Sequence, residues 1–482
     1  MFLLFVNSVI PVFGYFFIGF SRSSKLNKMI FKLLPVLFLM NLFGLSAYAN
    51  KGANLEIFNL FSNTTFGFNI DKLNFLLLLS LGLIWITFVF HINQISKFLQ
   101  EEITDNLKLK ITASFALLNC LIISNNLLTT LFFYSFLLLL NHFFAKDFLY
   151  EKNSKLCIIP KLSFYLQSFL FFVAVVLNDK FFGNVSFLLQ NNSQHLNLLV
   201  LYFVALFFIF LIPYLFYQSF KSSNIALIYI SFFVISGFGS LVIFTKILKT
   251  IFASSASNLI VSSIFHYFLV IVFTIILINA VLMIFSKNLK ASFFYLISNQ
   301  ILLSAISITI FASFDNSKIY LPIVSSALSN ILILLSFSNF NFYIEKLKLS
   351  SIKGMFDNLK ISSIFLIFAL LNVLPLFPAI SLYEKFFVIK AIFQKELLWI
   401  GIIFVLNFFF IFVLGCKLSY FLLSKIEGNT KNIKSSDENY NQNKQEDLTN
   451  FELSLNLIPF AVLFIMIVLP IFLQFKIGIF AL

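Results

Sequence analysis

Apolar runs of about 18 residues or more, nearly free of charge, recur from one end of the chain to the other. A helix of about 20 apolar residues matches the roughly 30 Å hydrocarbon core of a bilayer. The pattern predicts about fourteen spans, at 2–20, 33–49, 73–93, 111–124, 127–145, 162–178, 197–217, 225–245, 262–285, 291–313, 320–342, 361–393, 397–424 and 457–480. In lipid every backbone amide must pair within its own segment or in a closed barrel, so runs of this length predict helices. The expected fold class is all-α and polytopic. Two spans carry interruptions: Pro213 near the end of 197–217, and Pro375 with Pro378 inside 361–393. Proline removes a helix donor and clashes with the preceding turn, so helices are expected to break there.

Polar residues fill the short gaps, with one longer exception. Residues 425–454 are rich in Lys, Asn, Asp, Glu and Gln, and such low hydrophobicity predicts a disordered loop. The chain thus divides into a transmembrane domain over 1–424, a polar cytoplasmic loop over 425–454 and a last helix within 455–482. Composition agrees: of 482 residues 60% are hydrophobic and 11% charged, against roughly 25% charged in soluble domains. The 72 phenylalanines fit lipid-facing positions in an AT-rich coding sequence.

The net charge of +14 does not imply nucleic acid, because the lysines sit in short loops between spans. They act there as orientation signals. With the Arg22, Lys25, Lys28, Lys32 loop placed in the cytoplasm, that side collects roughly 22 basic residues and the other roughly 10. Both termini then lie on the non-cytoplasmic side. Lys417, inside a span, is left out of the count. The first run lacks a basic n-region and a small-residue cleavage site, so it reads as a retained helix.

Little else carries chemistry. Cys120, Cys157 and Cys416 lie far apart, in neither disulfide nor metal-ligand spacing. His91 and His195 read as membrane-interface residues, His142 and His266 as hydrogen-bonded residues within spans. No glycine-rich nucleotide loop, nucleophile elbow or metal motif is present. Asp71, before the third span, reads as a helix-start signal.

One stretch is too regular for a loop: K-A-S-F-F-Y-L-I-S-N-Q from Lys290 to Gln300. It resembles the K-R-x-L-A-Y-S-S-x-S-Q hallmark of the proton-antiporter-like membrane subunits. That family includes the L, M and N chains of NADH:quinone oxidoreductase (complex I) and the A and D chains of Mrp sodium/proton antiporters. Lys290, Tyr295 and Gln300 fall at matching offsets, Ser298 is displaced by one, and Leu296 and Ile297 replace the double serine. Collinear likenesses run along the chain. They include "VIPVFGYFFIGF" from Val9, "FNIDKLNFLLLLSLGL" from Phe68, "SNNLLTTLFFYSFLLLL" from Ser124 and "IPYLFY" from Ile212. "SALSNILILLSF" from Ser326 and "FPAISLYEKFFVIKA" from Phe377 continue the series.

The resemblance implies two inverted five-helix repeats with breaks in helices 7 and 12, and partners in the form of other membrane subunits. It implies protons or sodium ions as cargo and no redox cofactor in this chain, hence at most a non-redox part of an enzyme. The family moves ions along buried charged residues, and here that series is depleted. Ser135 stands at the fifth-helix glutamate, Phe208 at the seventh-helix lysine, Leu215 at the following histidine and Tyr217 at the tryptophan. Ser326 and Asn330 stand at the eleventh-helix histidine and lysine, and Lys246 lies near the end of the eighth helix rather than at its centre. Lys385, preceded by Glu384, matches the lysine after the twelfth-helix break, where Ser381 replaces a glycine.

The ion-pathway candidates are therefore Lys385, Glu384, Ser135, Asn330, Lys290, Tyr295 and Gln300, with Pro213, Pro375 and Pro378 as helix breaks. Against this stands a solvated loop holding Glu384, Lys385, Lys390, Lys395 and Glu396. Three functions compete: a diverged subunit of an ion-translocating complex in a bacterial or organellar inner membrane, a structural subunit that has lost transport, and a lipid-linked sugar flippase.

Overall fold

The computed structural model describes residues 2–21, 23–49, 52–61, 64–99, 105–148, 237–248, 259–314, 318–341, 349–374, 380–394, 398–424 and 456–468, plus scattered helical positions between 165 and 176. The helices are α1 (Phe2–Phe20), α2 (Ser24–Ala49), α3 (Lys72–Leu99), α4 (Asp105–Ile123) and α5 (Leu127–Phe148). After them come α6 (Gly237–Leu248), α7 (Leu259–Phe285), α8 (Leu289–Phe314) and α9 (Leu321–Asn341). The series closes with α10 (Lys360–Val373), α11 (Ile380–Gln394), α12 (Leu398–Leu423) and α13 (Asn456–Val468). Among the described residues, eight helices are long and apolar enough to cross a membrane, and four shorter apolar helices accompany them. The protein is an integral membrane protein. The seventh predicted span, with Phe208, Pro213, Leu215 and Tyr217, and the polar 425–454 segment lie outside the described residues.

Side chains start several helices. Asp71 Oδ1 accepts the Asn74 amide at 2.7 Å, capping α3. Asn126 Oδ1 accepts the Thr129 amide at 2.9 Å, capping α5. Asp105, at the start of α4, binds Lys108 Nζ at 2.7 Å and Asn27 Nδ2 at 3.1 Å, which places a negative charge at the positive end of the helix dipole.

Between α2 and α3 the chain forms an antiparallel hairpin, β1 (Ala53–Phe61) and β2 (Thr64–Ile70), pairing Ala53 with Ile70 and Phe61 with Thr64. The sequence reading had no strand here. The segment is too short and polar to span, and its alternation is blurred by register shifts near Glu56 and Asn59.

The chain forms two compact units. One holds residues 1–90, 101–275 and 301–327. In it α1 packs on α2 and α4, and α4 on α5. Trp85 stacks on Phe115 with centroids 5.1 Å apart, and Phe38 meets the Trp85 ring edge-on at 5.7 Å. Buried amides tie the helices across this apolar packing. Asn7 Nδ2 donates to Asn119 Oδ1 at 3.0 Å, Asn119 Nδ2 returns to the Asn7 carbonyl at 2.9 Å, and Asn41 Nδ2 reaches Asn7 Oδ1 at 3.3 Å.

The other unit holds residues 91–100, 276–300 and 328–482 and uses the same device. Asn299 Nδ2 donates to Asn407 Oδ1 at 2.7 Å, joining α8 to α12. Asn339 Nδ2 donates to Asn456 Oδ1 at 3.0 Å, and Asn456 Nδ2 to Ser362 Oγ at 2.9 Å, joining α9, α13 and α10. Uncovered faces are apolar, with Phe13, Phe16, Phe17 and Phe20 on α1 and Phe386 and Phe393 on α11 exposed, as lipid contact requires. By contrast every residue from Leu321 to Phe340 in α9 is buried.

Replacing Asn119 with leucine removes two amide bonds inside one unit. A loss of about 1 kcal/mol is expected, the usual scale of an interhelical hydrogen bond in membranes. Equilibrium unfolding in mixed micelles checks it, and an unchanged stability would mean that the pair does not join α1 to α4.

Candidate functional site

The interrupted twelfth span is the best-defined polar site. The helix α10 stops at Val373, and Leu374 turns to an extended backbone with φ −78° and ψ 149°. The chain resumes as helix at Ile380. Pro375 and Pro378 lie outside the described residues. A helix ending here leaves its last carbonyls without intrahelical donors, which at membrane depth must be found in the protein or in ordered water.

Side chains of α11 supply them. Lys385 Nζ donates to the Val373 carbonyl at 2.6 Å. Ser381 Oγ donates to the Asn372 carbonyl and lies 3.0 Å from Asn372 Oδ1. Asn372 Nδ2 in turn donates to Ser329 Oγ of α9 at 3.0 Å. One turn of α11 therefore stitches the end of α10, and Asn372 of α10 ties that end to α9. The site is enclosed: Glu384 and Lys385 are each 4% exposed and Asn372 and Ser381 are fully buried. This overturns the solvated-loop alternative for Glu384 and Lys385, whereas Lys390 is exposed. The Lys385 ammonium also stands 5.6 Å from the centre of the Phe408 ring, within cation–π range.

An ammonium carries three donors, and Val373 is the single acceptor bonded to Lys385 Nζ among the described residues. Among the described residues, Asn330 Oδ1, beside Ser329 in sequence, and Ser363 Oγ on α10 are buried without a hydrogen-bond partner. Buried polar groups left over in this way are the usual lodging of internal water. Water and an ionisable lysine together are what a proton path requires.

The other candidates are placed as follows. Ser135 is half-buried on α5. Tyr295 and Gln300 are buried on α8, with the Tyr295 ring edge-on to Phe294 at 6.1 Å. Ser298 Oγ accepts Asn279 Nδ2 at 3.4 Å. Lys290 opens α8, its side chain outside the described set. Ser326 bonds its own helix at the Ile323 carbonyl, 3.3 Å away. The structure brings Glu384, Lys385, Ser381 and Asn372 to one place.

Two further residues have buried polar contacts. His91 is buried, and its Nε2 lies 2.5 Å from Ser338 Oγ. Lys246 is buried, with Nζ 2.8 Å from the Leu121 carbonyl, 2.7 Å from the Ser124 carbonyl and 2.8 Å from Ser124 Oγ. An intramembrane lysine is by default a site worth inspecting, and that signal was in the sequence. His142, His195 and His266 have no described side chains.

The helices, the break and the buried lysine define an antiporter-like membrane-subunit fold, and solved structures of that class match it over nearly the whole chain. A chain of the Mrp complex from Dietzia sp. DQ12-45-1b is similar at TM-score 0.77 and 10% identity, over 98% of this chain and 95% of that one. A chain of the membrane-bound sulfane sulfur reductase, an archaeal respiratory membrane complex, is similar at TM-score 0.69 and 12% identity, over 95% of this chain and 99% of that one. A chain of respiratory complex I from Thermus thermophilus is similar at TM-score 0.71 and 12% identity, over 96% of this chain and 99% of that one. At these identities the likeness shows the fold. No family model matches the chain, and no curated protein matches it in sequence.

Replacing Asn372 with leucine breaks the link from α10 to α9 and removes an acceptor of Ser381. A loss of about 1–2 kcal/mol is expected, against less than about 0.5 kcal/mol for Ser326→Ala, whose hydroxyl serves its own helix. Parallel unfolding of the two variants checks the contrast.

Proposed function

We propose that the chain is a membrane subunit of a multisubunit ion-translocating complex of the Mrp or complex I kind, with Lys385 as the ionisable residue of its path. The observation that carries this reading is the buried Lys385 ammonium on the Val373 carbonyl, at a helix break. Broken helices at which backbone groups and an ionisable side chain meet are how transporters build ion sites in lipid. Glu384 is the neighbouring acid. Hydroxyl and amide side chains such as Ser329, Asn330 and Asn372 stand at or beside this path in place of charged residues, since they can hold a wire of water molecules although they carry no charge themselves. Ser135, Lys290, Tyr295 and Gln300 extend the path. The other subunits of the complex are the partners, protons or sodium ions the cargo, and a bacterial inner membrane the location, with both termini on the non-cytoplasmic side.

A second reading has its own support. Many buried amides pair with one another across helices, as Asn299 does with Asn407, and act as clamps. A subunit kept for its fold alone would look like this. The flippase reading has less, because Lys246 and Lys385 are each tied to backbone carbonyls.

Reconstitution decides between them. The protein is placed in liposomes with its co-purifying subunits, and proton movement is followed by a pH-sensitive dye with and without a sodium gradient. Wild type should conduct, and Lys385→Met should lose about tenfold or more, about 1.4 kcal/mol of barrier, while the same subunits still co-purify. No flux from the intact wild-type complex would establish the structural reading.

A further inference from the structure

Lys246 is unused by the path proposed above, yet among the described residues it is the lysine with the fullest set of acceptors. Three oxygens, the carbonyls of Leu121 and Ser124 and the hydroxyl of Ser124, surround its ammonium at 2.7–2.8 Å. These three acceptors match in number the three donors of an ammonium. Those carbonyls are the orphaned ones at the C-terminus of α4, the negative end of a helix dipole. The contrast with Lys385, which has one such acceptor, is one of geometry: the Lys246 ammonium is held on three oxygens.

What this charge holds is the turn between α4 and α5. Ser124 Oγ also lies 2.6 Å from Thr130 Oγ1 in the first turn of α5. The same turn carries the β-hairpin. Ser124 forms an isolated backbone bridge with Phe68, and the Asn125 amide donates to the Gly67 carbonyl at 3.1 Å. The Phe68 ring stacks on Phe133 of α5 with centroids 5.9 Å apart. Gly67 has no room to be anything else, since a Cβ there would lie 2.8 Å from the Leu55 carbonyl and 3.1 Å from Asn125 Nδ2. The base of the hairpin is therefore fitted closely to a turn that is itself gripped by one ammonium, all within a single compact unit.

We propose that Lys246 is the cationic anchor of the hairpin: its charge on the α4 C-terminus holds the α4–α5 turn in the geometry to which β2 is bonded. The role is one of positioning and does not depend on whether the complex moves ions.

Hydrogen exchange by mass spectrometry on the full-length protein with its co-purifying subunits tests it. The peptide covering 53–70 is the reporter, and the peptide covering α9 is the control for global folding. Lys246→Met should speed exchange of the hairpin amides by about tenfold with α9 unchanged, because local opening follows loss of local contacts. Lys246→Arg, which keeps the charge, should restore most of the protection. Ser124→Ala, which leaves the lysine two carbonyls, should give a smaller increase, about threefold. Unchanged hairpin exchange in Lys246→Met would overturn the proposal. So would equal loss of protection in hairpin and α9, which would make Lys246 a general stabiliser, and so would an arginine variant as loose as the methionine one. Flux measurements on Lys385 stand or fall separately.

Discussion

A helix that ends at membrane depth presents carbonyls that no lipid can satisfy, and the structure is arranged around supplying donors to them. Each unsatisfied backbone group in hydrocarbon costs several kcal/mol. Lysine answers this at three helix ends. Lys246 caps α4, Lys385 caps α10, and Lys417 Nζ donates to the Ile284 carbonyl near the end of α7 at 2.5 Å. Each pairing also sets an ammonium against the partial negative charge of a helix terminus. A cation at a helix C-terminus is worth about 0.3–1 kcal/mol at a surface and up to about 2 when partly buried. Carboxylates are not the partners in these three contacts.

The polar interior follows the same logic. Asparagine carries two donors and an acceptor without charge, so it can join helices in lipid with less desolvation than an ion pair. Asn7 with Asn119, Asn299 with Asn407 and Asn339 with Asn456 are such joints. A chain built this way keeps a polar interior with few charges inside it. Among the described residues, Glu384 and Lys385 are buried beside the interrupted helix, while Lys108 and Lys246 are buried elsewhere.

Much of the fold was legible in the sequence, because hydrophobic length is the strongest signal a membrane chain carries. The spans at 2–20, 73–93, 262–285, 291–313 and 320–342 correspond to α1, α3, α7, α8 and α9 within a few residues, and the interrupted span resolves into α10 and α11. The hairpin was not legible, since its two bulged irregularities hide the two-residue period. At the site, the break was readable from Pro375 and Pro378, and Lys385 was singled out by the resemblance of Phe377–Ala391, against the alternative of a solvated loop. Its partners Ser329 and Val373 were not, being 43 residues from Asn372 and 12 from Lys385 along the chain and joined only by packing. The partners of Lys246 were hidden for the same reason: it was read as lying near the end of its helix, and that end abuts the C-terminus of α4, more than 120 residues away.

The central claim is that this chain sits among other membrane subunits with a buried, carbonyl-bound lysine at an interrupted helix. The most direct measurement is a cryo-electron microscopy map of the protein purified gently from its own membrane. The account predicts density for neighbouring membrane subunits, the Lys385 side chain reaching the Val373 carbonyl, and ordered water in the enclosed space beside it. A solitary chain in its detergent belt, or a Lys385 side chain turned out to lipid headgroups with α10 and α11 fused into one straight helix, would contradict it.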